Sequence, residues 1–458
     1  MALAELSATK NSRSIQQLVR LIFVAGLAYM LWLFFNSPGT HTHDEIGHYL
    51  ISRDAWIAPE LIFNTWGRTV HTLLYMIPAA FGLIETRLLS VILSGITALI
   101  TLDVARKLTL PYWYLTPLLL LFQPWFAELS FLTITQVPFS LLMIGTVWLG
   151  LKDRLIAASI AAGLLPMVRH EGIALLGLWC LYLAYHKQWR ALLAALIPYV
   201  LYNLSSYWFT GTLPLTLFFD STPNEIYGSG AIYHYLIRLP HPEAVGIPLS
   251  ILAFIGLKQI IGKSTLLCIA CWYGSYFLLH TVIYYFGLFA SGGYKFFLLP
   301  MAPAFACLAA LGLKEVDLLL RRFRCITPVS FYGPVVKIGL LITCVGWTLY
   351  FTSPHPLSES DIAVKNATKW IEAHKKPGEP VFSNHVYYYH FLPANIDANM
   401  LWEEIPRLSN QPAGTTIMWD SIYSPMWGLQ LDKLENNSSW KKIKTYGQNA
   451  VILFEKQP

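Results

Sequence analysis

The chain reads as a series of long apolar runs broken by short polar connections. Runs near 18–36, 86–105, 112–130, 131–150, 155–169, 171–186, 191–209, 244–261, 264–288, 295–313 and 332–352 are each apolar enough to form a membrane helix. That gives about eleven spans, judged against the roughly 20 residues a helix needs to cross a bilayer. The first run, Leu21–Phe35, falls short of that length and borrows residues from Leu18 onward. Met1–Arg20 is polar, carries Lys10, Arg13 and Arg20, and lacks a small-residue cleavage pattern, so an uncleaved first span is expected.

Two stretches break the pattern. Residues 37–85 are too apolar for a free loop. His71–Leu83 reads as a helix lying on the membrane surface, with Trp56 and Trp66 as interfacial anchors. From Ser353 the composition turns polar. Residues 358–375 predict an amphipathic helix with Ile362, Val364, Trp370 and Ile371 on its apolar side. Pro380–Ser383, Gly414–Asp420 and Ala450–Glu455 predict short strands. The expected division is a membrane domain over 1–352, with its first outer loop at 37–85, and a small α+β domain over 353–458 with its own core.

Composition sharpens this picture. Hydrophobic residues make up 55% of the chain and charged residues 13%, about half the charged share of an ordinary soluble protein. The net charge of +6 does not point to nucleic acid, because the basic residues fall in alternate connections. Those clusters are Lys10/Arg13/Arg20, Arg106/Lys107, Lys152/Arg154, Lys187/Arg190, Lys258/Lys263 and Lys314 with Arg321/Arg322/Arg324. This is the positive-inside pattern, with the N-terminus cytoplasmic and everything after 353 extracytoplasmic. Arg87, at the outer end of the second span, runs against it and needs either snorkelling or a partner, for which Glu85 is near in sequence. None of the six cysteines lies in the polar C-terminal region, so no disulfide framework is expected. Cys268 and Cys271 read as small core residues one helical turn apart.

The candidate chemistry gathers on the outer side. Asp44 and Glu45 follow the first span directly, inside His41-Thr-His43-Asp44-Glu45-Ile-Gly-His48. A carboxylate shielded there has a raised pKa and can act as a base. His43 and His48 are five apart and fall on different helical faces, so the H-E-x-x-H zinc geometry is not met. A His41/His43 pair lacks a third ligand nearby. Mg²⁺ or Mn²⁺ held by carboxylates is the stronger candidate cofactor. Glu128, near the outer end of the third span, is a second acidic, metal-binding or acceptor-binding candidate; a helix cap is the plain alternative. Arg169-His170-Glu171-Gly172 forms a charged outer turn whose arginine either pairs with Glu171 or faces an anionic headgroup. Ser291-Gly-Gly-Tyr294-Lys295 sets one cation beside glycine backbone N–H groups, an arrangement suited to phosphate.

In this order and sidedness, the pieces resemble the polyprenyl-phosphate-sugar-dependent glycosyltransferases of the GT-C fold, the superfamily of the protein O-mannosyltransferases and the lipid A aminoarabinose transferases. The resemblance rests on Asp44-Glu45, the surface helix leading through Phe81-Gly82 to Arg87-Leu-Leu-Ser, the Arg169-His-Glu171-Gly turn, Gly293-Tyr-Lys295-x-x-Leu-Leu-Pro300 and the C-terminal outer domain. It implies Asp44 as the general base with Glu45 supporting it, and Glu128 as a second acid on the same cavity. It also implies donor-phosphate contacts from Lys295 and Arg169, with Arg53 or Arg68 as alternative cations, and His43, His48 and Tyr294 in support.

The implied reaction is an inverting displacement. A lipid phosphate leaves the anomeric carbon while a hydroxyl of a lipid, glycan or protein acceptor attacks, at the outer face of a bacterial plasma membrane. A transporter or flippase of lipid-linked glycans would need broken mid-membrane helices and internal repeats, and no repeat is visible. A glycan ligase and a membrane scaffold are the remaining alternatives.

Overall fold

The computed structural model describes residues 2–218, 227–323, 332–376, 378–392 and 408–458; Arg324, named above, lies outside them, as does Cys325, one of the six cysteines. The chain is mainly helical, in the order α1 (Ala2–Phe35), α2 (Asp44–Asp54), α3 (Thr69–Ala79), α4 (Leu83–Lys107), α5 (Thr116–Leu121), α6 (Pro124–Leu129), α7 (Gln136–Leu151), α8 (Leu155–Val168), α9 (Gly172–Tyr185), α10 (Trp189–Thr210), α11 (His234–Arg238), α12 (Ile247–Gly256), α13 (Ser264–Tyr285), α14 (Ala302–Phe323), α15 (Tyr332–Phe351), α16 (Glu359–His374), α17 (Val386–Phe391), α18 (Tyr423–Met426) and α19 (Leu431–Glu435). Among the described residues six helices are long and apolar enough to cross a membrane, and 136–151, 155–168, 172–185 and 247–260 are shorter apolar helices. This is a polytopic α-helical membrane protein with a small C-terminal sheet.

The predicted span at 112–130 is broken. α5 ends at Leu121, and Pro124, whose missing N–H suits a first helical position, opens α6. A break inside a membrane domain is tolerated only where the freed backbone groups find partners. Here the Thr348 hydroxyl donates to the Phe122 carbonyl, Gln123 Nε2 donates to the Leu119 and Ala302 carbonyls, and the Trp125 N–H donates to Ala244. The break turns α6 so that it carries Glu128 in its last turn.

α12 and α14 run in close contact. A Cβ on Gly312 would lie 1.9 Å from the Leu252 carbonyl oxygen, and one on Gly256 would lie 2.0 Å from that of Leu308. Only glycine permits this backbone approach, which is how membrane helices pack without a hydrophobic driving force between them. Cys268 and Cys271, expected in the core, lie exposed on the outer surface of α13.

The first outer loop holds two helices where one was foreseen. α3 matches the expected surface helix. α2, which was not expected, packs antiparallel against it and carries both acids in its first turn. The partner of Arg87 is Glu45 rather than Glu85. Nε donates to Glu45 Oε1 at 2.8 Å and Nη2 to Oε2 at 2.7 Å, while the remaining guanidinium N–H groups meet the Ser37 and Gly39 carbonyls at 2.6 and 2.7 Å. The Thr133 N–H also donates to Glu45, at 3.0 Å. Both side chains of the pair are buried.

The C-terminal sheet has the order β1-β2-β4-β3, with β1 (Val381–Ser383) parallel to β2 (Thr416–Asp420) and β4 (Val451–Lys456) antiparallel to both β2 and β3 (Trp440–Tyr446). β3 escaped the sequence pattern because its Lys-rich alternation faces solvent on an edge. α16 begins with a capping box between Ser358 and Asp361. Ala363, Val364, Ala367 and Ile371 line its buried face, while Ile362 is exposed.

One face of the sheet has its own cluster around Trp419, Trp440 and Phe454. The other face shares a continuous core with α2 through Ile46, Tyr49 and Leu50. The self-contained core expected for 353–458 therefore holds on one side only.

Arg87→Met strands the Glu45 carboxylate in the interior and is expected to cost about 3–5 kcal/mol. The double replacement Glu45→Leu/Arg87→Met recovers most of that loss. Thermal unfolding of the detergent-solubilised variants measures both.

Candidate active site

A cavity of about 810 Å³ opens where α2, one set of membrane-helix ends and the C-terminal domain converge. Helix geometry decides which acid of the pair faces it. Successive residues on α2 point about 100° apart. Asp44 and His48, one turn apart, therefore share the cavity face, and Glu45 turns inward to Arg87. Of the expected site residues, the cavity wall brings together Asp44, His43, His48, Arg68, Arg169, Tyr294 and Lys295. Glu45 and Glu128 are not on the wall. Arg53 is not there either: it is held by Asp54, with Nε to Oδ1 at 2.6 Å and Nη2 to Oδ2 at 3.2 Å.

The three cations on the wall differ in how far they are compensated. Lys295 forms an ion pair with Glu243. Arg169 donates from Nη1 to Thr135 Oγ1 at 2.9 Å and from Nη2 to Glu171 Oε1 at 2.7 Å, and lies 4.9 Å over the Phe297 ring. Although burial opposes the charge on Glu171, Arg169, His280 and Arg68 hold its carboxyl well below the ordinary range. Arg68 donates from Nη1 to the Thr65 carbonyl and has no acidic partner within ion-pair distance among the described residues. Its backbone sits at φ 67°, ψ 109°, a region that costs a non-glycine residue about 1–3 kcal/mol and persists where surrounding structure imposes it. Burial, aided by Arg169, lowers its pKa to about 10, so it remains a cation at neutral pH.

Asp44 is half-buried. Burial pushes its carboxyl above the ordinary aspartate range, against the pull of Arg169 and His43. His48 stacks on Trp66 with ring centroids 4.2 Å apart. Trp66 therefore belongs to the cavity wall rather than serving as an interfacial anchor, and burial beside His71 holds His48 neutral.

Two groups of side chains were not foreseen. Asn384 and Tyr423 reach the wall from the C-terminal domain, and Tyr423 Oη lies 2.6 Å from His43 Nδ1. His41 and His43, considered above as one pair, point into different clusters, His41 with Glu128 and His355, His43 with Asp361 and His385. The partners lie about 85 to more than 300 positions away, so no local spacing could have revealed them.

No protein-family model matches the chain, and no characterised protein matches it by sequence. Solved structures share its fold, among them two of ArnT. One is ArnT from Cupriavidus metallidurans bound to undecaprenyl phosphate, with a TM-score of 0.64 at 13% identity over 95% of this chain and 97% of that one. The other is ArnT from the same organism in the apo state, with a TM-score of 0.63 at 11% identity over 98% of each chain. The architecture is thus the GT-C architecture that the order of the motifs resembles.

Both ring nitrogens of His71 are buried without hydrogen-bond partners, and burial lowers its pKa to about 3. The unfolded chain, titrating near 6.5, binds the proton more readily. This contribution to stability is therefore complete above about pH 6.5 and is lost as the pH falls toward 3. The melting temperature is expected to drop over that window, and less steeply in His71→Phe. Equal slopes for the two proteins would assign the acid sensitivity elsewhere.

Proposed function

We propose that this protein is an integral membrane glycosyltransferase that moves a sugar from a polyprenyl-phosphate donor to a hydroxyl of a lipid, glycan or protein acceptor. The observation that carries the reading is the Asp44 carboxylate sharing one cavity with Arg68, a half-buried cation with no acid at ion-pair distance among the described residues. Such a cation suits a phosphate, and a carboxylate across the same space suits a hydroxyl that must lose its proton. Support also comes from the fold of ArnT, one of whose structures holds undecaprenyl phosphate.

The acceptor hydroxyl gives its proton to Asp44 as its oxygen bonds to the anomeric carbon. The bond from that carbon to the phosphate oxygen breaks on the opposite face, its electron pair leaving with the lipid phosphate, and the configuration inverts. Arg68 stabilises the charge growing on the departing phosphate, and Arg169, held by Glu171 and Thr135, adds a second positive potential. Lys295, engaged by Glu243, has a lesser part at the rim. Glu45 acts through Arg87, fixing the first turn of α2 and hence the aim of Asp44. His43, His48 and Tyr294 shape the wall.

A second cavity, of about 420 Å³, is lined almost wholly by apolar side chains. Tyr273 and Phe277 of α13 line it, while Leu279 and Ile283 of the same helix line the first. A polar cavity and an apolar one in the same membrane domain suit a ligand with a polar head and a long hydrocarbon tail. With the N-terminus cytoplasmic, as the basic clusters favour, the cavity and the C-terminal domain face the outer side of a bacterial plasma membrane.

Transfer from a panel of radiolabelled polyprenyl-phosphate sugars, assayed in membranes, tests the reading. Asp44→Asn is expected to insert and fold normally and to lose about 10²–10⁴-fold in rate. Arg68→Ala is expected to weaken donor use more than acceptor use. Because Asp44 must be ionised to act, wild-type activity falls as the pH drops through its raised pKa, and the residual activity of Asp44→Asn lacks that limb. Full activity in Asp44→Asn would sink the assignment. No turnover of any donor by folded wild type would favour a transporter or a ligase.

A further inference from the structure

Two clusters of two histidines and one carboxylate lie beside the cavity, and hydrogen bonding distinguishes them. In the first, His43 Nε2 forms an ion pair with Asp361 Oδ1 at 3.0 Å. His385 Nδ1 accepts the Tyr387 N–H at 3.3 Å, which puts the imidazole proton on Nε2 and closes that nitrogen to a metal. A nitrogen closed in this way accounts for this cluster, which keeps only two donor atoms for an ion.

The second cluster has no such account. His41 Nδ1 lies 3.6 Å and His355 Nε2 3.8 Å from the same oxygen, Glu128 Oε1. Both separations are too long for hydrogen bonds. Among the described residues no lysine or arginine pairs with Glu128, although it is buried. His355 Nε2 is buried without a hydrogen-bond partner among the described residues, which leaves its lone pair open to an ion. The three donor atoms all lie within 4.8 Å of one another. An ion bound tetrahedrally at the zinc–nitrogen length of about 2.0–2.1 Å holds its ligands about 3.4 Å apart. Shifts of a few tenths of an ångström would close the His41 and His355 distances onto that value.

We propose that His41, Glu128 and His355 form a binding site for a divalent transition-metal ion of the zinc type. Two imidazoles and one carboxylate select zinc over Mg²⁺ or Mn²⁺, which prefer oxygen ligands. The fourth position is left to water. The ion would join three segments far apart in sequence: the extended stretch leaving α1, the last turn of α6 beyond the helix break, and the link from α15 to α16. Through His41 it would hold the chain three residues before Asp44. Its role is positioning, and the proposal does not depend on the glycosyltransferase reading.

The test uses untagged full-length protein in detergent, stripped with a chelator and titrated with zinc, with cobalt(II) as a spectroscopic substitute. Wild type is expected to bind one equivalent at this site and to give the intense visible bands of tetrahedral cobalt. His355→Gln and Glu128→Gln are expected to bind at least about tenfold more weakly and to lose those bands, whereas His385→Gln keeps both. Zinc is also expected to raise the melting temperature of wild type but not of His355→Gln, with the two proteins melting alike in chelator as the check on folding. Absence of binding by wild type at micromolar free zinc, or equal affinity in wild type and a folded His355→Gln, would overturn the proposal.

Discussion

The buried pair between Arg87 and Glu45 is the constraint on which the outer half of the molecule depends. A guanidinium at the outer end of α4 meets a carboxylate at the start of α2, and its other N–H groups bond to the carbonyls of Ser37 and Gly39. The Thr133 N–H joins the same carboxylate, and His355 bonds back to the stretch through the Ser37 hydroxyl and the Gly39 N–H. The stretch 37–45, α4 and the segment at Thr133 therefore meet at one ion pair, and the segment at His355 is tied to the same stretch. Two charges removed from water are tolerable because nearly every lone pair and N–H between them is used. The adjacent acids thus divide their work, since the turn that anchors Glu45 leaves Asp44 on the cavity wall.

α2 is held from both sides. Below, α3 and α4 carry it; above, Ile46, Tyr49 and Leu50 enter the core of the C-terminal domain with Val364, Met418 and Leu453. The C-terminal domain is therefore part of the cavity wall as well as an appendage, contributing Asn384 and Tyr423. The strained backbone at Arg68 belongs to the same arrangement. Asn64 Oδ1 accepts the N–H groups of Trp66 and Gly67, and the loop so formed delivers an unpaired cation to the cavity at the entrance to α3.

The break between α5 and α6 shows why membrane-domain irregularity carries information. A continuous helix would have left Glu128 on a straight span. The turn at Gln123–Pro124 instead brings it beside His41 and His355, with the Phe122 carbonyl bonded to Thr348 of α15 and the Trp125 N–H to the Ala244 carbonyl.

By itself the sequence determined the placement of most apolar helices, the helix α3, the amphipathic α16 and three of the four C-terminal strands. It did so because burial in lipid or against a core writes periodicity into a local stretch of chain. It also marked Asp44 as the candidate base and, through the resemblance, Arg169 and Arg68 among the candidate cations. Only the tertiary structure decided which acid faced the cavity, which of four candidate cations lacked a partner, and where Arg87 found its counter-ion. His355, Asp361, Asn384 and Tyr423 gain meaning only from residues brought to them across the fold. Pairing of charges and metal-ligand geometry depend on separations of a few ångströms in space, and these leave no period along the chain.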